Sequence, residues 1–296
     1  MKWFWILFIA LSGCSTQSSI EKLGASVLTD QSGNIVLVHF HNTQISDADL
    51  EHLKGLAKLR EISLWGNEKV TDAGLVRLKG LSNLETLTLP FTQITDAGLV
   101  QLGVLNQLKY LWLDHTQVTG AGLEHLTGLN KLEGLGLTKT QVTDADLVHL
   151  EGLTKLGNLI LTGTKITNAG LVHLSELNQL KALNLGDTQI TGAGLVHLKG
   201  LTNLENLTLE GNQIANAGLV HLKVLKKLQF LHLSGPQIND GGLVHLTDLT
   251  NLESLILSGT NVSEIGLAVL KRTLPKLGDV INAPTVTYDR DGILLE

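Results

Sequence analysis

From Leu56 to Arg272 the sequence repeats itself every 24 residues, with one extra residue in the Glu68-Lys69 turn of the first full unit. The shared pattern is L-x-x-L-x-x-L-x-L-x-x-T-x-I-T-x-A-G-L-x-x-L-x-x, seen at its most regular in 153–176, 177–200 and 201–224. Nine units begin at Leu56, Leu81, Leu105, Leu129, Leu153, Leu177, Leu201, Leu225 and Leu249, and a partial unit, 38–55, precedes them. No unit of this length can bury its leucines alone, so neighbours must stack and share one core. The L-x-L step has a period of two, which makes it a short strand with both leucines inward and its x residues outward. The half reading I-T-D-A-G-L-x-x-L spaces its apolar residues for a helical segment. Thr or Ser before Asp47, Asp72, Asp96 and Asp144 can cap the first turn, where an acid is also favoured. The expected architecture is α/β: parallel strands stacked about 4.8 Å apart into one concave sheet, with helices on the convex side.

Nine near-regular units, carrying T-D-A-G-L in the helical half, resemble the leucine-rich repeat superfamily and specifically its bacterial 24-residue type. The resemblance covers about residues 33–272 and implies a curved, horseshoe-like solenoid. One column departs from the family. The usual ladder asparagine is mostly threonine here (Thr92, Thr116, Thr140, Thr164, Thr188, Thr260), with Asn67, Asn212 and Pro236 as exceptions. A threonine hydroxyl can still bond nearby backbone, more weakly, so the column reads as structural.

Both ends of the repeats read as β-hairpin caps. Residues 24–40 alternate around Gln31 to Asn34, and 284–296 do so around turn residues Asp289 to Gly292. The first fourteen residues are different: one positive residue, an apolar run from Trp3 to Leu11, then small residues before Cys14. That is a short export signal, too short to span a membrane. Leu11 to Cys14 resembles the lipobox of bacterial lipoproteins, which implies cleavage before Cys14 and its acylation, a durable anchor. The expected organisation is therefore signal peptide 1–13, lipidated Cys14 and polar tether to 22, N-terminal cap 23–37, repeats 38–272 and C-terminal cap 273–296. The expected location is the bacterial envelope, at the outer membrane or cell surface.

The formal net charge of −6 offers no basic surface for nucleic acid, and a lone cysteine allows neither a disulfide framework nor a thiolate metal site. Seven of the eleven histidines, His52, His125, His149, His173, His197, His221 and His245, share one helical column. They arise one per repeat and should splay apart, so duplication explains them and no metal or other cofactor is expected. No phosphate loop or nucleophile elbow follows a strand, which leaves an enzyme the least supported class. Recognition is better founded. The chain is only 4% aromatic, yet Trp65, Phe91, Tyr110 and Trp112 fall in outward columns of three consecutive strands, with Asp114 beside them and His115 at the rim. Gly134 and Gly136 follow and should leave bare backbone, a shallow trough beside an aromatic wall. These six residues form the expected ligand-binding face of a monomeric solenoid. The expected ligand is a protein, with an adhesive role on glycan or host surfaces as the alternative.

Overall fold

The structure, a computed structural model, describes residues 16–282, 287–288 and 294–295. Two compact units divide the chain, 1–141 and 142–296. In the first, six strands follow one another in chain order: β1 (Ser26–Thr29), β2 (Ile35–His39), β3 (Glu61–Ser63), β4 (Thr86–Thr88), β5 (Tyr110–Trp112) and β6 (Gly134–Gly136). In the second the same order runs through β7 (Asn158–Ile160), β8 (Ala182–Asn184), β9 (Asn206–Thr208), β10 (Phe230–Ser234), β11 (Ser254–Ser258) and β12 (Asp279–Ile281). Neighbouring repeat strands are parallel and in register, Leu111 lying opposite Leu87 and Leu135. The inward half of the two-residue alternation is obeyed, while some outward residues, Ser63, His232 and Ile256 among them, are buried as well. Leu87, Leu111, Leu135, Leu159 and Leu207, each the middle residue of its strand, are fully buried.

The expected hairpin opens the first unit, β1 pairing antiparallel with β2 around a turn in which Asp30 Oδ1 accepts from the Ser32 and Asn34 N–H groups. At the other end β13 (Thr287–Tyr288) pairs antiparallel with β14 (Leu294–Leu295), while the turn expected at Asp289 to Gly292 lies outside the described residues. So do the signal segment and Cys14. Two boundaries differ from expectation. Strand β12 extends the parallel run past Arg272, and residues 16–22 are helical with Ile20 fully buried rather than a free tether.

The helical half of most repeats is shorter and tighter than an amphipathic helix: four-residue α segments or 3-10 turns such as Asp144–Leu150, with Asp96–Leu102 and Glu264–Thr273 the longer α segments. In several repeats these turns are held by an aspartate of the preceding repeat. Thr71, Thr95 and Thr119 do cap their own first turns, at a long 3.3 Å from the N–H two residues on. The short bonds run between repeats. Asp96 Oδ1 accepts from the Thr119 N–H at 2.7 Å and Asp96 Oδ2 from the Thr119 hydroxyl at 2.6 Å, and Asp47 and Asp72 hold Thr71 and Thr95 in the same way. The motif's glycine belongs to the same clamp. A Cβ on Gly122 would lie 2.5 Å from Asp96 Oδ1 and 2.8 Å from Leu99 Cδ1, so the preceding repeat's carboxylate occupies the space a side chain would need. The acid is first an inter-repeat clamp, and only second a favourable charge at a helix start.

Thr92, Thr116, Thr140, Thr164 and Thr188 of the threonine column are buried, and each hydroxyl donates to the carbonyl three residues back, as Thr116 does to Leu113 at 2.6 Å; the half-buried Thr260 makes no such bond. Asn212 reaches further, bonding the Leu185 carbonyl of the previous repeat as well as its own turn. Asparagine therefore ties two repeats where threonine ties one.

Candidate functional site

In the first unit the outward columns bring the predicted residues onto the open face of the strands. Tyr110 is exposed, while Trp65, Phe91, Trp112, Asp114 and His115 are half-buried. The rings form two groups rather than one wall. The first is a row along the strand ends. His39 stacks on His41 at 5.0 Å, His41 meets Trp65 edge-on at 6.2 Å, Trp65 meets Phe91 edge-on at 5.9 Å, and Phe91 stacks on His115 at 4.2 Å. Two imidazoles of this row are anchored, His39 Nε2 to Glu61 Oε1 at 2.8 Å and His41 Nε2 to Ser63 Oγ at 2.7 Å. Sequence reasoning left His39 and His41 out of the site, although both stand in the outward columns of the first strand.

The second group is Tyr110 and Trp112, with centroids 6.5 Å apart and planes within 19°. That separation is about two residues of strand rise, as adjacent outward positions require. Here the expectation of a bare trough fails. Gly134 and Gly136 are buried, because the rings of the preceding strand lean over them. A Cβ on Gly134 would lie 2.7 Å from Tyr110 Cδ1, and one on Gly136 would lie 2.6 Å from Trp112 Cε3. The glycines seat the rings; they do not border them. The Tyr110 hydroxyl donates to Glu133 Oε2 at 3.1 Å, and that bond pushes its pKa up. Asp114 Oδ1 accepts from the Thr138 N–H at 2.8 Å, leaving Oδ2 without a described partner of its own.

Phe91 and His115 share an unusual backbone. Both lie at positive φ, 57° and 55°, in the turn position that Gly66, Gly163, Gly211, Gly235 and Gly259 occupy in sister repeats. Burial first, and then the Lys139 ammonium, lower the His115 pKa, so the ring stacked on Phe91 is held neutral. The left-handed column could have been found from the sequence by aligning those five glycines.

The second unit carries a polar cluster that sequence reasoning did not single out. His232 of β10 bonds Ser258 Oγ of β11 through Nε2 at 2.9 Å and faces Glu210 Oε2 through Nδ1 at 3.3 Å. The order hydroxyl, imidazole, carboxyl is that of a nucleophilic triad. Yet His232 is fully buried and Ser258 nearly so, which keeps a substrate from the hydroxyl. Burial, helped by Asp187, raises the Glu210 pKa to about 7, and burial lowers that of His232 to about 4. Both shifts disfavour the charged forms, and the cluster reads as packing. On the helical side His173 bonds Glu151 at 2.7 Å, and among the described residues no group of His, Cys, Asp or Glu is disposed to hold a metal.

The architecture has known counterparts. Residues 154–214 match the leucine rich repeat family model. Internalin C2 from Listeria monocytogenes is 30% identical over 72% of this chain and 84% of its own, with a TM-score of 0.57. The chain belongs to the leucine-rich repeat family. The Listeria monocytogenes internalin inlF is similar at 20% identity, covering 91% of this chain and 88% of its own at a TM-score of 0.56. A plant peptide hormone receptor, RGFR1 in complex with RGF2, is similar at 16% identity over 78% of this chain and 37% of its own, with a TM-score of 0.50. Both are likenesses of leucine-rich repeat fold. No curated protein matches the chain.

Proposed function

We propose that this leucine-rich repeat protein is exported, anchored to the bacterial envelope through acylated Cys14, and recognises a protein partner through the aromatic strand face of its first unit. The observation that carries the reading is the concentration of rings. In a chain that is 4% aromatic, Trp65, Phe91, Tyr110 and Trp112 share one open face, and three imidazoles extend the row. Rings of this kind give large contact area for few rotatable bonds and dominate the energetics of protein interfaces. A peptide-binding receptor among proteins of the same fold favours a polypeptide ligand.

Affinity capture from envelope extract, comparing the chain with its Trp65→Ala/Trp112→Ala variant, is the test. A single protein retained by the first and lost by the second is expected. Retention by both removes the aromatic face from the account. Binding of glycans rather than protein, lost in the same variant, would make the chain an adhesin.

A further inference from the structure

The charges around the rings say what the partner must bring. In the strand columns of β3 to β12 that alternate with the inward leucines the charged residues that are not histidine are Glu61, Asp114, Glu210 and Asp279, with neither lysine nor arginine although the chain holds 22 of them; the turn column of Phe91 and His115 adds Lys139 and Asp187. Three cations stand at the rim, and two of them share one carboxylate. Lys109 bonds Glu85 at 2.7 Å, and Arg60 lies 3.9 Å from the same carboxylate. Lys139 stands in the turn that follows β6, beside His115 in the same turn column. Two carboxylates adjoin the ring pair directly: Asp114, whose Oδ2 sits beside Trp112 over Gly136, and Glu133, which takes the Tyr110 hydroxyl on one oxygen.

An electron-rich ring face attracts a cation, tryptophan most strongly, and a guanidinium adds planar stacking and a forked pair of donors for a carboxylate. We infer that the partner reaches this face with a basic polypeptide segment whose arginine lies against the Tyr110 and Trp112 rings and pairs with Asp114 and Glu133. The inference rests on the reading above, that the aromatic face binds protein, and adds the chemistry that selects the ligand. Glycines at 134 and 136 take part as positioning residues, since any side chain there would displace the rings.

The test is tryptophan fluorescence of the full chain, with Trp3→Phe, Trp5→Phe and Trp65→Phe to leave Trp112 as its single tryptophan, titrated with three probes: the capped tripeptide Gly-Arg-Gly, its Gly-Glu-Gly counterpart, and cellobiose. A saturable change with the arginine peptide alone is expected. Asp114→Asn keeps an acceptor for the Thr138 N–H but loses the charge, and should weaken that binding about threefold. Added salt should weaken it further in the parent and less in the variant. No response to the arginine peptide, an equal response to the glutamate peptide, or a response to cellobiose alone overturns the inference. The underlying reading fails separately, if partner capture survives loss of both tryptophans.

Discussion

Phe91 and His115 hold a backbone conformation that glycine takes in five sister repeats, and Lys139 holds it too at φ 54°. A non-glycine residue there costs about 1–2 kcal/mol. Lys139 is exposed and sits in no ring contact, so Lys139→Gly should raise stability by about 0.5–1 kcal/mol, net of glycine's greater freedom in the unfolded chain, measurable by thermal melting. His115→Gly relieves the same strain but gives up the 4.2 Å stack on Phe91, worth about 0.5–1.5 kcal/mol. It should leave stability nearly unchanged and weaken partner capture. A gain equal to that of Lys139→Gly would mean that the stack contributes nothing. The inward leucines behave differently. Leu111→Ala removes a fully buried side chain and should cost about 2–5 kcal/mol, far more than truncating the half-buried Trp112 next to it.

Between repeats, the clamp and the glycine it requires can be tested as a pair. Asp96→Ala deletes two short bonds to Thr119 and should cost about 1.5–3 kcal/mol. Gly122→Ala should be costly in the parent and milder in the Asp96→Ala background, because the carboxylate that blocks its Cβ is gone. Additive effects in that double-mutant cycle would refute the clamp. The Glu210 and His232 pair makes a prediction in pH. Unfolded, the acid titrates near 4.5 and the imidazole near 6.5; folded, they titrate near 7 and 4. Between pH 4.5 and 6.5 both states bind one proton, so the pair leaves stability level. Below 4.5 the unfolded state binds more protons, and stability falls as pH drops towards 4. Above 6.5 the folded state binds more, and stability falls as pH rises towards 7. Glu210→Gln should remove the alkaline decline, as read from melting temperature against pH. The periodicity told the strands and their inward leucines because alternation fixes direction. It did not tell that Tyr110 and Trp112 lie over Gly134 and Gly136, since register sets which residues are opposite but not how a ring is turned. The aspartate clamp was present in the spacing of Asp96 and Thr119, yet reading it requires knowing that the start of one helical turn abuts the cap of the next.

For the molecule as a whole, two repeats hold their capping residue with an acid of their own instead of one from the preceding repeat. Ser46 gives its N–H and hydroxyl to Asp49 Oδ2 at 2.8 Å, and Thr143 gives its own to Asp146 Oδ2 at 2.8 Å. Each acid stands where the other units carry the motif glycine, in the first repeat and at the start of the second compact unit, 142–296. Repeat arrays gain stability from each repeat and its neighbours, so a start that needs no acid from a preceding repeat can open a stack. Residues 142–296 expressed alone should therefore unfold cooperatively in denaturant, as followed by circular dichroism; a fragment without a transition would contradict this. The helical side of the first unit offers a rival to the aromatic face in the exposed valines Val76 and Val100. Hydroxyl-radical footprinting of the chain with and without its captured partner separates the two most directly. Protection of Trp65, Phe91, Tyr110 and Trp112, with the valine row unchanged, is the predicted result. Protection of the valines while the rings stay as reactive as in the free chain would contradict it.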